Sequence, residues 1–297
     1  MADNLHDMTI FVRVVENGSL SAAARSLNMT LPVVSRRLAR LEGRLGVRLL
    51  NRTTRTLALT DEGERFYRRC VQILADLADA ETEAAQGSHT VRGRLRITAT
   101  VAFGRKRLAP ILRAFQVQHP DLHVHFDASD AVVNIVDAGY DLAIRFGALQ
   151  DSALIARQIA PNYRVIVGAP GYLRDRGRPK TLADLAGHDA ILLGTAADDH
   201  WHFADGRVVR VASKLSCNDG EIAHDWAVQG AGLVIKSIWD VIEDIEAGKL
   251  EIVLPDIALP ASPIHAVFPH RRHVAAKVRL CVDFIAQRLR DQMIFTP

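Results

Sequence analysis

The stretch GSLSAAARSLNMTLPVVSRRLARLEGRLGVRLLNRTTRTLALTDEG, residues 18–63, decides the reading of this 297-residue chain. Gly18 followed by Ser19 is a helix stop and then an N-cap. Leu20, Ala23, Ala24 and Leu27 form the buried side of a short helix, and the small residues at 22–24 let a neighbour approach closely. Asn28-Met29 makes a tight turn. Thr30 caps the next helix with Pro32 in its first turn, where a missing backbone N–H costs little. Val34, Leu38, Leu41 and Leu45 are that helix's core stripe, and Gly46 ends it. Upstream, Leu5, Met8, Val12 and Val15 step by three and four along one face of a preceding helix. Downstream, residues 49–52 and 56–59 read as two short strands around Thr53-Thr54-Arg55.

Two short helices across a tight turn, the second with a small or basic outer face, make a helix-turn-helix whose second helix fits a major groove. The basic hairpin after it is a wing able to reach backbone or minor groove. Ser21, Thr30, Ser35, Arg36 and Arg52 are placed for phosphate and sugar contacts, with Arg55 at the wing tip, and Leu31, Pro32, Val33 and Arg40 for base readout. Charge points the same way. Eight arginines lie between residues 25 and 55 against the single acid Glu42, and Asp76, Asp79, Glu81 and Glu83 follow with no basic residue among them. Over-use of Arg throughout the chain explains the choice of Arg over Lys but not the clustering, which suits an anionic partner for the first part only.

Residues 18–63 closely resemble the N-terminal domain of LysR-type transcriptional regulators: the caps, the alanines, Ser35-Arg36, Leu41-Glu42, Leu45-Gly46 and Arg52-Thr53-Thr54-Arg55 match in order. Leu31 departs from the polar residue common in that family, which replaces a base hydrogen bond with an apolar contact, such as one to a thymine methyl. The resemblance implies a regulator that binds inverted-repeat promoter sites on double-stranded DNA, with RNA polymerase as a further partner.

From Thr60, with Asp61 and Glu62 in the first turn, Phe66, Cys70, Ile73, Leu77, Ala80 and Ala84 step as a heptad seam. Pairing with the same helix of a second copy buries it; packing only on its own N-terminal domain is the alternative. The resemblance favours pairing, and a tetramer built from two such dimers. Cys70 on the seam reads as a small core residue.

After Gln86-Gly87-Ser88 the texture becomes alternating strands and helices. Strands centred on Ile97, Val124 and residues 141–146, with helices over residues 108–115 and 132–136, read as repeated βαβ and a parallel sheet. A second α/β lobe begins near Val167, and the last helix, from Val274 to Leu289, returns to the first. The expected domains are a winged helix-turn-helix (1–59), a linker helix (60–88) and a regulatory domain (89–297) of two lobes, 89–165 plus 266–297 and 166–265. That second part resembles the effector domain of the same family, similar in turn to periplasmic binding proteins. Ligands in open α/β sheets sit beyond the carboxyl ends of strands. This singles out Thr100, Val101, Ser129, Arg145, Phe146, Thr195 and Asn218 for a small-molecule effector. A structural ion pair competes for Arg145, and a plain helix cap for the others. Residues 137–159 resemble a large subgroup for which a small organic acid is the default effector.

Other classes fit less well. His200 and His202 lack an acidic partner at metal spacing, and no HExxH, GxSxG, GxGxxG or GxxxxGK[ST] occurs, so neither catalysis nor a cofactor or metal is expected. Cys70, Cys217 and Cys281 form no CxxC pair, and nothing in the sequence pairs Cys217 with Cys281 as a redox sensor would need. A stand-alone binding protein leaves the basic motif unexplained. The longest stretch without Asp, Glu, Lys or Arg, residues 257–270, is broken by Pro260, Pro263 and Pro269, so no membrane span is expected. Residues 1–7 carry Asp3 and Asp7 without an apolar core, so the expected location is cytoplasmic.

Overall fold

A computed structural model describes residues 2–52, 57–86, 91–131, 133–147, 154–194, 199–269 and 274–292. The chain divides into two compact units, Met1–Arg94 with Asn134–Tyr140, and Leu95–Val133 with Asp141–Pro297.

The first unit contains α1 (Ala2–Glu16), α2 (Leu20–Ser26), α3 (Leu31–Leu45), the antiparallel pair β1 (Leu50–Arg52) and β2 (Leu57–Leu59), and the long helix α4 (Asp61–Gln86). Its punctuation follows the sequence. Ser19 Oγ accepts the Ala22 amide at 3.4 Å, the α2–α3 turn passes through Asn28 at φ +52°, and α3 ends at Gly46 with φ +71°. Asn tolerates this left-handed region better than most residues, and Gly enters it without penalty. Val34, Leu38 and Leu41 are fully buried with Ile10, Phe11, Val14 and Ala23.

The heptad seam of α4 divides in two. Cys70 is fully buried in the core of the unit, and Phe66 and Tyr67 pack on Phe11 with ring centroids 5.6 and 6.4 Å away. Burial pushes the Cys70 thiol up to about 12, the behaviour of an inert core thiol. Ile73 and Leu77, further along, are 41% and 36% exposed. The first turns of the helix therefore serve its own domain, and only the later ones offer an apolar stripe.

The second unit is two α/β lobes. The first carries β3 (Gly93–Ala99), α5 (Val101–Phe103) running through a π-helical turn (Gly104–Leu108) into α6 (Ala109–Gln118), β4 (Leu122–Ala128), β5 (Leu142–Phe146) and β6 (Leu154–Ala160). The second carries β7 (Arg164–Gly168), α7 (Pro170–Arg176), β8 (Asp189–Leu193), the hairpin β9 (His200–His202) and β10 (Val208–Arg210), β11 (Ala212–Cys217), α8 (Gly220–Val228), β12 (Val234–Ser237), α9 (Ile238–Glu246) and β13 (Glu251–Val253). The chain then returns to the first lobe as β14 (Ile264–Pro269) and α10 (Ala276–Gln292), where Phe284 packs on Phe115 with ring centroids 5.3 Å apart. Asn162 joins the two crossings, donating to the Ser262 carbonyl at 2.8 Å and accepting from Ser237 Oγ at 2.6 Å.

Two expectations are corrected. The first-lobe sheet, ordered β4-β3-β5-β14-β6, is mixed: β3 and β5 are parallel, but β14 lies antiparallel between β5 and β6. The second lobe is mixed too, with β8 and β11 parallel and β7 antiparallel to β12 and β13. The helix expected over 132–136 is a single turn, in which Asn134 Oδ1 accepts the Val136 and Asp137 amides and Gly139 turns to φ +69°. A side-chain-capped start and a left-handed stop five residues apart leave room for one turn only; Val132 lies outside the described residues.

Candidate functional site

On the N-terminal unit, the outward ridge of α3 runs Pro32, Val33, Arg36, Arg40, opposite the core stripe. Leu31 is 45% exposed, Pro32 and Arg36 are exposed, and Val33 and Ser35 are half-buried. Thr30 occupies the cap position with extended backbone and makes no side-chain cap bond. Ser21 is exposed on α2. Arg52 ends β1, while Arg55 lies outside the described residues.

Arg40 carries an unanticipated partner. Its guanidinium folds onto Asp7 of α1, with Nη2 2.9 Å from Oδ2 and 3.0 Å from Oδ1, and Arg37 Nη1 meets the same carboxylate at 3.0 Å. Glu42, read in the sequence as the single acid of the basic stretch and as part of a matching Leu-Glu pair, has a clear task. Its Oε1 accepts the Leu49 and Leu50 amides at 2.9 and 3.2 Å and so fixes where the wing begins. Thr60 closes the wing, its hydroxyl donating to the Arg48 carbonyl at 2.7 Å and accepting the Gly63 amide at 2.9 Å.

In the regulatory unit, Thr100 precedes α5, Ser129 follows β4, and Arg145 and Phe146 end β5, so these residues gather at strand ends of one sheet. The Ser129 amide donates to the Ala99 carbonyl at 2.8 Å, and Arg145 Nη2 lies 3.4 Å from Thr98 Oγ1. Phe146 meets Phe103 edge-on at 5.2 Å. Asn218 is exposed ahead of α8, but the cap itself is Asp219, which accepts the Glu221 amide at 2.7 Å. Thr195 lies outside the described residues.

The residue joining the two lobes here was not singled out from sequence: Asp130 accepts the Val101 amide at 2.9 Å and the Gly220 amide at 3.5 Å. Beside it, Lys236, 4% exposed, donates to the Gly220 carbonyl at 2.9 Å and pairs with Asp240 at 3.2 Å. Lys106 and Arg107 of the π-helical turn reach the second lobe, donating to the Asp240 and Trp239 carbonyls at 3.0 and 3.2 Å. Only long-range pairing assembles these charges, and no local spacing announces it. A cavity of about 630 Å³ on the second lobe, lined in part by Tyr172, Arg176, Asp189 and Lys249, includes none of the expected effector residues. Among the described residues no group of three His, Cys, Asp or Glu could hold a metal ion, and no helix is long and apolar enough to cross a membrane.

A winged helix-turn-helix joined to a two-lobed α/β unit defines a ligand-responsive DNA-binding regulator. Residues 5–64 match the family model of the bacterial regulatory helix-turn-helix protein, lysR family, and residues 88–290 that of the LysR substrate binding domain. The chain belongs to the LysR family of transcriptional regulators. It is 37% identical over 290 residues to the HTH-type transcriptional regulator DmlR of Escherichia coli, covering 95% of this chain and 94% of that protein. It is 33% identical over 297 residues to the HTH-type transcriptional regulator CrgA of Neisseria meningitidis, covering 99% of each. The solved structure of CrgA superposes with a TM-score of 0.62, over 96% of this chain and 98% of that one. These relatives are named as regulators, and the chain is a DNA-binding transcription regulator with an effector-binding domain, not an enzyme.

Proposed function

We propose that the chain is a cytoplasmic, sequence-specific regulator that grips inverted-repeat promoter sites with paired α3 helices and answers to a small organic acid between the lobes of its regulatory unit. The observation that carries the first half is the N-terminal end of α3: Leu31 and Pro32 are exposed beside Arg36, while Val34, Leu38 and Leu41 on the opposite side are fully buried. A groove-facing end of this kind meets base edges with Leu31, Pro32, Val33 and Arg40, and phosphates with Ser21, Thr30, Ser35, Arg36, Arg52 and Arg55. The working division is DNA binding by residues 1–59, pairing by 60–88 and effector response by 89–297. The exposed Ile73 and Leu77 favour pairing through the later turns of α4.

For the effector, Thr100, Val101, Ser129, Arg145, Phe146, Thr195 and Asn218 remain the candidate residues, and RNA polymerase a candidate partner at the promoter. The guanidinium of Arg145 at the end of β5, among the strand ends where ligands of open α/β sheets sit, favours an anion. A ligand bound there shifts subunit spacing only if its affinity differs between the two arrangements.

The test is binding of the purified full-length chain to DNA from upstream of its own gene, against random duplex, across a salt series. Selective, footprinted binding at physiological salt supports the reading. Equal affinity for both duplexes at every salt concentration counts against it. Arg36→Ala should weaken binding to all sequences and flatten the salt dependence by roughly one unit.

A further inference from the structure

We propose that Asp7 is a positioning residue for DNA recognition, holding Arg40 and Arg37 against α1 and so restraining sequence-independent attraction to phosphate. The proposal rests on reading the N-terminal unit as a sequence-specific DNA binder. Asp7 is only 2% exposed, yet Arg40 Nη2 and Arg37 Nη1 both reach it at 2.9–3.0 Å. The side chain of Arg40 remains 50% exposed, so the pair sits at the rim of the domain rather than in its core.

Three observations combine. Arg40 stands on the same outward ridge as Pro32, Val33 and Arg36, one helical turn beyond Arg36, where an extended guanidinium would reach DNA. The contact with Asp7 is two-pronged, since Nη2 touches both oxygens and Nε lies 3.3 Å from Oδ2, a geometry that fixes a guanidinium plane as well as its place. Asp7 also supplies the negative charge itself, cancelling one of the two positive charges that it touches on α3.

A loose arginine contacts any phosphate and adds about one unit to the salt slope, without regard to sequence. An arginine clamped on both oxygens of one carboxylate keeps its guanidinium plane in one orientation. Asp7 therefore trades affinity for random DNA against discrimination, a specificity device built from repulsion as well as attraction.

The experiment compares wild type, Asp7→Asn, Arg40→Ala and the double variant, as full-length chains, on random duplex and on the duplex from upstream of the gene, over a salt series. Asp7→Asn should bind random duplex several-fold more tightly, roughly 3- to 10-fold at low salt, with a slope steeper by about one unit and a smaller ratio of selective to random affinity. In the Arg40→Ala background the same substitution should steepen the slope by less than it does in wild type, because only Arg37 then remains to be released. Thermal unfolding, read alongside, separates a purely mechanical brace. If Asp7→Asn lowers Tm while affinity for random duplex and the salt slope stay at wild-type values, or if both affinities fall together, the proposal is overturned. Should wild type itself fail to select the upstream duplex, the sequence-specific reading fails instead, and the slope on random duplex still decides the restraint by Asp7.

Discussion

His224 Nε2 lies 2.8 Å from Asp244 Oδ2 in the second lobe, with the imidazole 5% exposed. Burial pushes the His224 pKa below its ordinary value of 6.5, and Lys106 and Lys236 add to that against the opposing pull of Asp244. Burial alone raises the Asp244 carboxyl, yet hydrogen bonds from Lys249 and His224 leave it below its usual range. The native pair is thus a neutral imidazole donating to a carboxylate.

Stability follows from that. Below its ordinary value of 6.5 the unfolded chain takes up a proton at His224 that the folded chain does not, so the native state loses ground as pH falls toward the lowered native value. His188, lowered first by burial and next by Arg176, acts in the same direction. Denaturant midpoints of the full chain should be flat from pH 8 to 7 and decline below about 6.5. The His224→Gln variant should show a shallower decline; an equal one would remove His224 from the account.

Gly63 in the first full turn of α4 is held by the backbone of Leu49, since a Cβ there would strike the Leu49 carbonyl. Gly63→Ala should therefore cost about 1–3 kcal/mol by forcing helix and wing apart. Thermal unfolding of the DNA-binding unit checks it, and an unchanged Tm would show that the close approach is dispensable.

Glu42→Ala leaves the buried Leu49 and Leu50 amides without their acceptor and should cost about 1–3 kcal/mol. Glu42→Gln keeps the acceptor oxygen and should retain most of the stability. DNA affinity should fall more for the first variant than for the second, because the wing loses its starting point; equal losses would assign the effect to charge rather than to the hydrogen bonds.

Exposed Ile73 and Leu77 on α4 should report on pairing. Full burial of such a side chain contributes about 1.5–3 kcal/mol, so Leu77→Asp should weaken self-association at least about ten-fold in sedimentation equilibrium and weaken binding to a two-half-site duplex. An oligomeric state identical to wild type would place the interface elsewhere.

The N-terminal unit was legible because its signals are local. Ser19, Asn28 and Gly46 each set a cap or turn within a few residues, and the stripe Val34, Leu38, Leu41 declares the buried side by its spacing. The partnership of Asp7 with Arg40 was not, since 33 residues separate them and neither position is unusual in composition. The heptad seam was legible as an apolar face but not in what covers it, because periodicity does not say whose core receives the face, and Cys70 went to its own domain. In the regulatory unit, β14 escaped notice because Pro263 precedes it and Pro269 is its last residue, and with it went the mixed sheet. Asp130, Lys236 and Lys106 come together only through tertiary pairing, which no motif encodes.

The position of β14 dictates an order of events during synthesis. Residues 264–269 supply the strand between β5 and β6, yet they leave the ribosome after the whole second lobe. Chains grow from the amino end and domains fold as units, so the DNA-binding unit and then the inserted lobe can complete themselves while the first lobe waits with two unpaired strand edges. Unpaired edges invite association with other chains. A chain stopped just before Ile264 would thus carry a reader of DNA beside an unfinished, adhesive sheet, and β14 is the closure that removes those edges.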